Sequence, residues 1–194
     1  MIAFLTSIGY ESWILPTLLA IPLAGALVIL LHGSASKGEG SGGLDDAGAM
    51  FARRITFITF VLEFVVSIGL WWVVLPGEAG FRAVVDLPWI RTWGIRFAVG
   101  IDGISVMLVL LTTLIMPLVV LGGWTTVRTK VHAYHALMLI LTTGMLGVFV
   151  ARDLFLFYVM WEVMLVPMYF IVGIWGGERR IYASLKFFIY TMLG

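Results

Sequence analysis

The sequence predicts an all-α polytopic transmembrane helix bundle, and three observations carry that prediction. Of the 194 residues, 61% are hydrophobic and only 12% charged, whereas a soluble domain carries charge on about a quarter of its residues. Five apolar stretches are each about long enough, at 1.5 Å per residue, to cross roughly 30 Å of hydrocarbon. The runs are continuous, unlike the segments of about ten alternating residues that barrel strands require.

The first run, Trp13 to Leu31, follows a segment whose only charge is Glu11. It lacks the basic flank of a signal peptide and is too long for one, so it is read as a retained helix. The second run, Ile55 to Leu75, follows a connection, residues 32–54, that includes Gly33-Ser34-Ala35-Ser36-Lys37-Gly38-Glu39-Gly40-Ser41-Gly42-Gly43. That composition is a flexible linker. Pro76 to Gly100 mixes Phe81, Val84, Val85, Trp89, Ile90, Trp93, Ile95 and Phe97 with three arginines, a pattern for short extended segments, such as a small hairpin lying on the outer membrane face.

Asp102 precedes the third run, Gly103 to Trp124, and Asp153 precedes the fifth, Leu154 to Trp175. Both are read as helix caps, because an Asp there accepts from an exposed helix N–H and complements the positive end of the dipole. The fourth run, Ala133 to Val150, carries Thr142, Thr143, Gly144 and Gly147, a small surface for close helix packing. Pro117 and Pro167 lie inside apolar helices, where each removes one backbone hydrogen bond. A sixth helix begins near Ile181 and runs to the last residue. The division expected is an N-terminal two-helix region, 1–102, with the loop 32–54 and the connection 76–100, followed by 103–194.

Alternate connections differ in basic charge. Lys37, Arg53, Arg54, Arg128, Lys130, Arg179, Arg180 and Lys186 fall on one side, against Arg82, Arg91, Arg96 and Arg152 on the other. The positive-inside rule then places the N-terminus outside. A net charge of +1 gives no basic surface for nucleic acid. The absence of cysteine excludes disulfides, thiolate metal sites and cysteine-held iron–sulfur clusters from the chain.

Two acids lie at membrane depth, Glu162 near the middle of the fifth run and Glu63 near the middle of the second. An ionised side chain there costs about 2.5–3.5 kcal/mol by insertion scales, which makes each a candidate for ion or proton handling. On a helical wheel Tyr158 and Tyr169 fall about 40° and 20° from Glu162, flanking the carboxyl with phenols. Around Glu63 the same face offers only Thr59 and Ser67. The plain alternative for either acid is a neutral carboxyl hydrogen-bonded to a neighbouring helix. Lys186 has Tyr182 and Tyr190 one turn away on its own face. It either snorkels to the basic interface or belongs, with His135, to a chain of protonatable groups leading from the inner side toward Glu162.

The string Leu156-Phe157-Tyr158-Val159-Met160-Trp161-Glu162-Val163-Met164-Leu165-Val166-Pro167-Met168-Tyr169-Phe170, with Trp175-Gly176, Lys186-Phe187-Phe188-Ile189-Tyr190-Thr191 and Gly100-Ile101-Asp102-Gly103-Ile104-Ser105, closely resembles the antiporter-like M (chain 4) subunit family of respiratory complex I. The resemblance covers Gly100 to Gly194 well; the first two helices agree in hydropathy alone. It implies a proton-translocating membrane-arm subunit of an NADH:quinone oxidoreductase, in a bacterial or mitochondrial inner membrane. Such a subunit holds no cofactor of its own, with FMN, iron–sulfur clusters and quinone on other subunits. It also implies that Glu162 is the essential acid, paired with a lysine on a broken seventh helix, while Glu63 has no counterpart in the pattern. Family members carry many more helices, so the chain is expected to be a fragment, or one piece of a split subunit, partnered by the rest of the subunit, other membrane-arm subunits and lipid. Antiporter and membrane-bound hydrogenase subunits share the Glu and lysine pattern and are the alternative, with a structural scaffold as the second. Glu162 is expected to face a neighbouring helix of its own subunit.

Overall fold

A computed structural model describes residues 2–35, 44–74 and 80–193. The elements are α1 (Ile2–Ser7), α2 (Tyr10–Ala35), α3 (Leu44–Ser67), α4 (Gly69–Val74), β1 (Arg82–Ile90), β2 (Ile95–Ile101), α5 (Gly103–Gly122), α6 (Val131–Val150), α7 (Leu154–Trp175) and α8 (Arg180–Leu193). Among the described residues, five spans are long and apolar enough to cross a membrane: Tyr10–Gly33, Ala47–Val74, Gly103–Gly122, Val131–Val150 and Leu154–Trp175. The helical bundle predicted from hydropathy is thus the fold, with a two-stranded hairpin added at one end. The linker is shorter than residues 32–54, since α2 continues to Ala35 and α3 begins at Leu44; residues 36–43 lie outside the described residues.

Successive spans run up and down. At one end, an Arg53 Nη donates to the Val127 carbonyl (2.8 Å) and the Trp175 indole to that of Thr129 (2.8 Å). This gathers the start of α3, the α5–α6 connection and the end of α7. At the other end the Tyr10 hydroxyl donates to the Val66 carbonyl, and the Arg152 amide donates to Ala98 in β2 (2.8 Å). The hairpin therefore caps the end that holds the starts of α2, α5 and α7.

The hairpin is antiparallel, with Asp86 opposite Ala98 and Pro88 opposite Arg96. Ala83, Val99 and Ile101 turn inward against Leu15, Leu18 and Val150, whereas Val84, Leu87, Trp89 and Trp93 remain exposed. Gly94 closes the turn with φ +69°, a left-handed conformation that glycine adopts without a Cβ penalty. Asp86 and Arg96 form an exposed ion pair, which holds the guanidinium pKa above its ordinary value chiefly through their hydrogen bond. Exposed pairs of this kind add little stability.

Both anticipated caps are formed. Asp102 accepts from the amides of Ile104 (3.1 Å) and Ser105 (2.7 Å), and Asp153 from those of Phe155 (2.9 Å) and Leu156 (3.1 Å). Hydrogen bonding to the Ser105 backbone is the main reason the Asp102 pKa lies below its ordinary 3.8. A depressed folded-state pKa stabilises above the unfolded value, and the contribution fades as pH falls through the folded value. Asp102→Ala should cost about 1 kcal/mol, and Asp102→Asn much less, because the amide oxygen still caps. Thermal unfolding in detergent at neutral pH checks the order, and the Asp-to-Ala difference should shrink once the pH drops below that of carboxylate titration.

The buried side chains form two apolar clusters. One, around Ile14, Leu18, Val99, Val109 and Leu156, lies at the hairpin end. The other, around Ala26, Ile29, Phe60, Met116 and Leu139, lies toward the opposite end. The buried polar residues include Thr56, Thr59, Glu63 and Ser67 on α3, Thr113 on α5, and His135, Thr142 and Thr143 on α6.

Candidate functional site

The close fit of α6 and α7 fixes where Glu162 points. A Cβ on Gly144 would lie 2.8 Å from the Met164 amide nitrogen, and one on Gly147 would lie 2.6 Å from Met160 Cγ and Sδ. Met160 and Met164 therefore define the face of α7 that rests on α6. Glu162 is about 200° around the helix from both, on the opposite side. There it is half-buried in an open groove lined by Phe155, Tyr158, Val159, Val163 and Val166, all from its own helix. The Tyr158 hydroxyl, one turn earlier, interacts electrostatically with its carboxylate.

The expectation that Glu162 meets a neighbouring helix is therefore not met among the described residues, because α6 packs on the other face and α8 meets α7 nearer its C-terminal end. Pro167 has no N–H to offer the Val163 carbonyl, so the residue next to Glu162 keeps a backbone acceptor without its usual helical donor. The second phenol is used differently: Tyr169 packs edge-to-face on Phe188 of α8 (5.6 Å) and on Phe170 (5.4 Å).

Lys186 lies between Tyr182 and Tyr190, its ammonium 5.9 and 5.7 Å from the ring centroids. Ser184 and Phe188, which contact Gly173 and Tyr169, mark the face of α8 that rests on α7. Lys186 is midway between them in sequence and projects outward, exposed. Cation–π contact with two phenols stabilises the ammonium at an apolar surface. Among the described residues no ion pair joins it to Glu162.

His135 belongs to another neighbourhood. It is buried on α6 beside Arg53 and His132, and its Nδ1 has no hydrogen-bond partner among the described residues. The contacts of Gly144 and Gly147 put Glu162 level with Met145 and Leu146, which leaves His135 about 15 Å away along the axis at 1.5 Å per residue. Glu162, Lys186 and His135 are thus not gathered into one chain of groups by the described residues.

Burial ranks the two acids in the reverse of the order the wheel suggested. Glu63 has 0% relative exposure, and neither of its carboxyl oxygens has a hydrogen-bond partner among the described residues. The sequence showed Thr59 and Ser67 beside it, but not Thr113, which comes from α5 to within 2.9 Å of the Ser67 hydroxyl. Nor did it show Arg53, whose guanidinium reaches the α5–α6 connection. The available signal was the recurrence of hydroxyls every three or four residues along α3.

The family described as NADH:quinone oxidoreductase/Mrp antiporter, TM, matches residues 151–194, which include the Glu162 helix. The chain is 42% identical over 90% of its length to NADH-quinone oxidoreductase subunit M of Rhodobacter capsulatus, and 35% identical over 93% to an NAD(P)H-quinone oxidoreductase chain 4 of a Picosynechococcus species. It spans 32% of each of those relatives, about a third of their length. Its fold is similar to a chain of respiratory complex I from Thermus thermophilus, with a TM-score of 0.71 at 24% identity, over 92% of this chain and 33% of that one. Residues 151–194, which hold α7 and its acid, thus match the family described as NADH:quinone oxidoreductase/Mrp antiporter, TM, and over most of its length the chain is similar to about a third of the antiporter-like M (chain 4) subunits of NADH:quinone oxidoreductases.

Proposed function

We propose that this chain forms part of a proton-translocating membrane-arm subunit of an NADH:quinone oxidoreductase, in which Glu162 takes up and releases a proton as quinone reduction proceeds elsewhere in the complex. The observation that carries the reading is the placement of Glu162: a carboxyl at mid-span, backed by a phenol, on a face of α7 that the described residues leave open. An acid on an open, otherwise apolar face is suited to a cationic partner from a further helix, because each charge of such a pair stabilises the other in low dielectric. FMN, iron–sulfur clusters and quinone would belong to the other subunits. Purification of the full-length subunit with its native partners tests the assignment: co-purifying flavin and iron–sulfur chains support it. Cation/proton antiporter subunits in their place would move the chain to the antiporter reading, and an intact complex indifferent to the loss of the acid would make it a scaffold.

The membrane would be a bacterial or mitochondrial inner membrane, with the hairpin and N-terminus outside. The chain contains no cysteine, so single-cysteine variants report sidedness cleanly. Trp93→Cys, at the exposed hairpin turn, should react with an impermeant maleimide from the outer side, and Arg128→Cys, at the opposite end, only from the inner side. The reverse pattern would invert the topology.

A further inference from the structure

Glu63 is the most deeply buried ionisable group at mid-span, and the site around Glu162 makes no use of it. A buried carboxyl without a partner is costly when charged and still unfavourable as a neutral polar group, so a bundle that keeps one supplies it with a partner. The nearest candidates by sequence are hydroxyls. Thr59 and Ser67 flank Glu63 one turn on either side, and Thr56 lies one turn beyond Thr59; all are buried. Each of the three hydroxyls donates to a carbonyl of its own helix: Thr56 to Ala52, Thr59 to Ile55 and Ser67 to Phe64. A hydroxyl that donates once still has lone pairs to accept with, so this face presents a row of acceptors with an acid at its centre. Neighbours one turn apart are separated by about 5–6 Å, a gap that one water molecule closes.

The row also has ends. From Arg53 to Ser67 it rises about 21 Å at 1.5 Å per residue, most of the hydrocarbon thickness. One end reaches half-buried Arg53 and buried His135, where Arg53 Nε and His135 Nδ1 lack hydrogen-bond partners among the described residues. The other reaches the hydrogen-bonded Ser67 and Thr113 hydroxyls, near the end where Tyr10 holds the Val66 carbonyl. The titratable groups on the helices packed against α3 are Tyr10, Glu11 and His32 on α2 and His132, Tyr134 and His135 on α6, with none on α5; Arg53 lies on α3 itself. Among the described residues none forms an ion pair with Glu63.

We propose that the buried face of α3 is a second proton pathway through the subunit, with Glu63 as its protonatable site and the hydroxyls of Thr59, Ser67 and Thr113 as its relay. Glu63 rests as the neutral acid. In transfer its O–H bond breaks, the proton passes to water and the Thr59 hydroxyl on one side, and the carboxylate is reprotonated through the Ser67 and Thr113 hydroxyls, each taking one proton as it gives up another, on the other; no electrons change hands. The pathway rests on the reading that the subunit moves protons, and it is spatially separate from Glu162, which points out of the opposite side of α7 from the one that α6 covers.

The test uses the full-length subunit in its assembled complex, reconstituted in liposomes, with proton uptake measured per NADH oxidised. Glu63→Gln should lower that ratio by the share of protons this pathway carries, with the share carried through Glu162 left in place. It should also remove a protonated-carboxyl band from the infrared spectrum that in the unaltered enzyme shifts within minutes in D2O. The Ser67→Ala, Thr113→Val double variant removes both partners of one buried hydrogen bond while keeping shape, a change that is close to neutral for stability. It should lower pumping with assembly intact, and so decides the matter if Glu63→Gln fails to assemble. Full pumping by either assembled variant, or a carboxyl band sealed from D2O exchange, overturns the pathway. Loss of pumping in Glu162→Gln alone would overturn it while leaving the proposed function standing, and loss in Glu63→Gln alone would do the opposite for the role of Glu162.

Discussion

Glu162→Gln, introduced into the full-length subunit of the assembled complex, is expected to lower NADH-driven proton uptake by about an order of magnitude or more, because a group that carries the transferred proton has no neighbour able to replace it. Glutamine keeps the volume and most of the hydrogen-bonding capacity of the side chain, so the groove along α7 should be unchanged in shape. Assembly on a native gel should therefore be normal. Glu162→Asp keeps the proton but withdraws the carboxyl by one methylene from Tyr158 and from any partner across the groove, and part of the activity should survive. Tyr158→Phe separates the contribution of the phenol: it deletes the one polar neighbour that α7 itself places beside the acid, and a modest loss of rate is expected. Full pumping by the assembled Gln variant would reduce Glu162 to a structural hydrogen-bonding residue.

The second large effect is on assembly. Gly144 rests against the backbone of Met164, with a Cβ 2.8 Å from its nitrogen and 3.0 Å from its Cα. A backbone cannot yield without moving the whole of α7. Gly144→Ala should thus cost about 1–3 kcal/mol, the usual range for overpacking, and Gly144→Val more, to the point that the subunit does not accumulate in the membrane. Gly147 is a useful contrast. Its Cβ would meet Cγ and Sδ of Met160, an unbranched side chain with three rotatable bonds that can swing aside. Gly147→Ala should be the milder change, and thermal unfolding of the two alanine variants in detergent decides the order. Equal losses would show that α7 shifts as a rigid unit to admit either methyl.

Gly144 illustrates how far periodicity carries an argument. Four small residues on one helix predict a close neighbour, and the neighbour is there, but which helix it is and whether backbone or a flexible side chain opposes each glycine depend on the register between α6 and α7. The caps at Asp102 and Asp153 needed no such help. Each acts on amides two and three residues ahead, so the local sequence contains the whole interaction. The hairpin at Arg82–Ile101 was legible for a similar reason, as apolar and aromatic residues of high β-propensity between Gly80 and the cap at Asp102. The two ends of the linker became helix because residues there pack against the bundle: His32 stacks on Phe51 with ring centroids 4.1 Å apart, and Gly48 fits beside His132. Composition alone does not record such contacts.

The candidate sites divide along the same line. A helical wheel placed Tyr158 beside Glu162 and Tyr182 and Tyr190 beside Lys186, since residues within one helix have fixed relative directions. It could not say whether those faces look inward or outward. Hydropathy is nearly uniform around a membrane helix and so carries almost no directional signal. From residue order alone the chain had determined its compartment, its number of spans, the caps, and the family signature around Glu162. Only the tertiary structure decided that Glu162 and Lys186 look outward from the bundle while Glu63 looks in, because that outcome turns on which faces the helices bring together, and in lipid it is set by close packing at small residues such as Gly144 and Gly147 rather than by polarity.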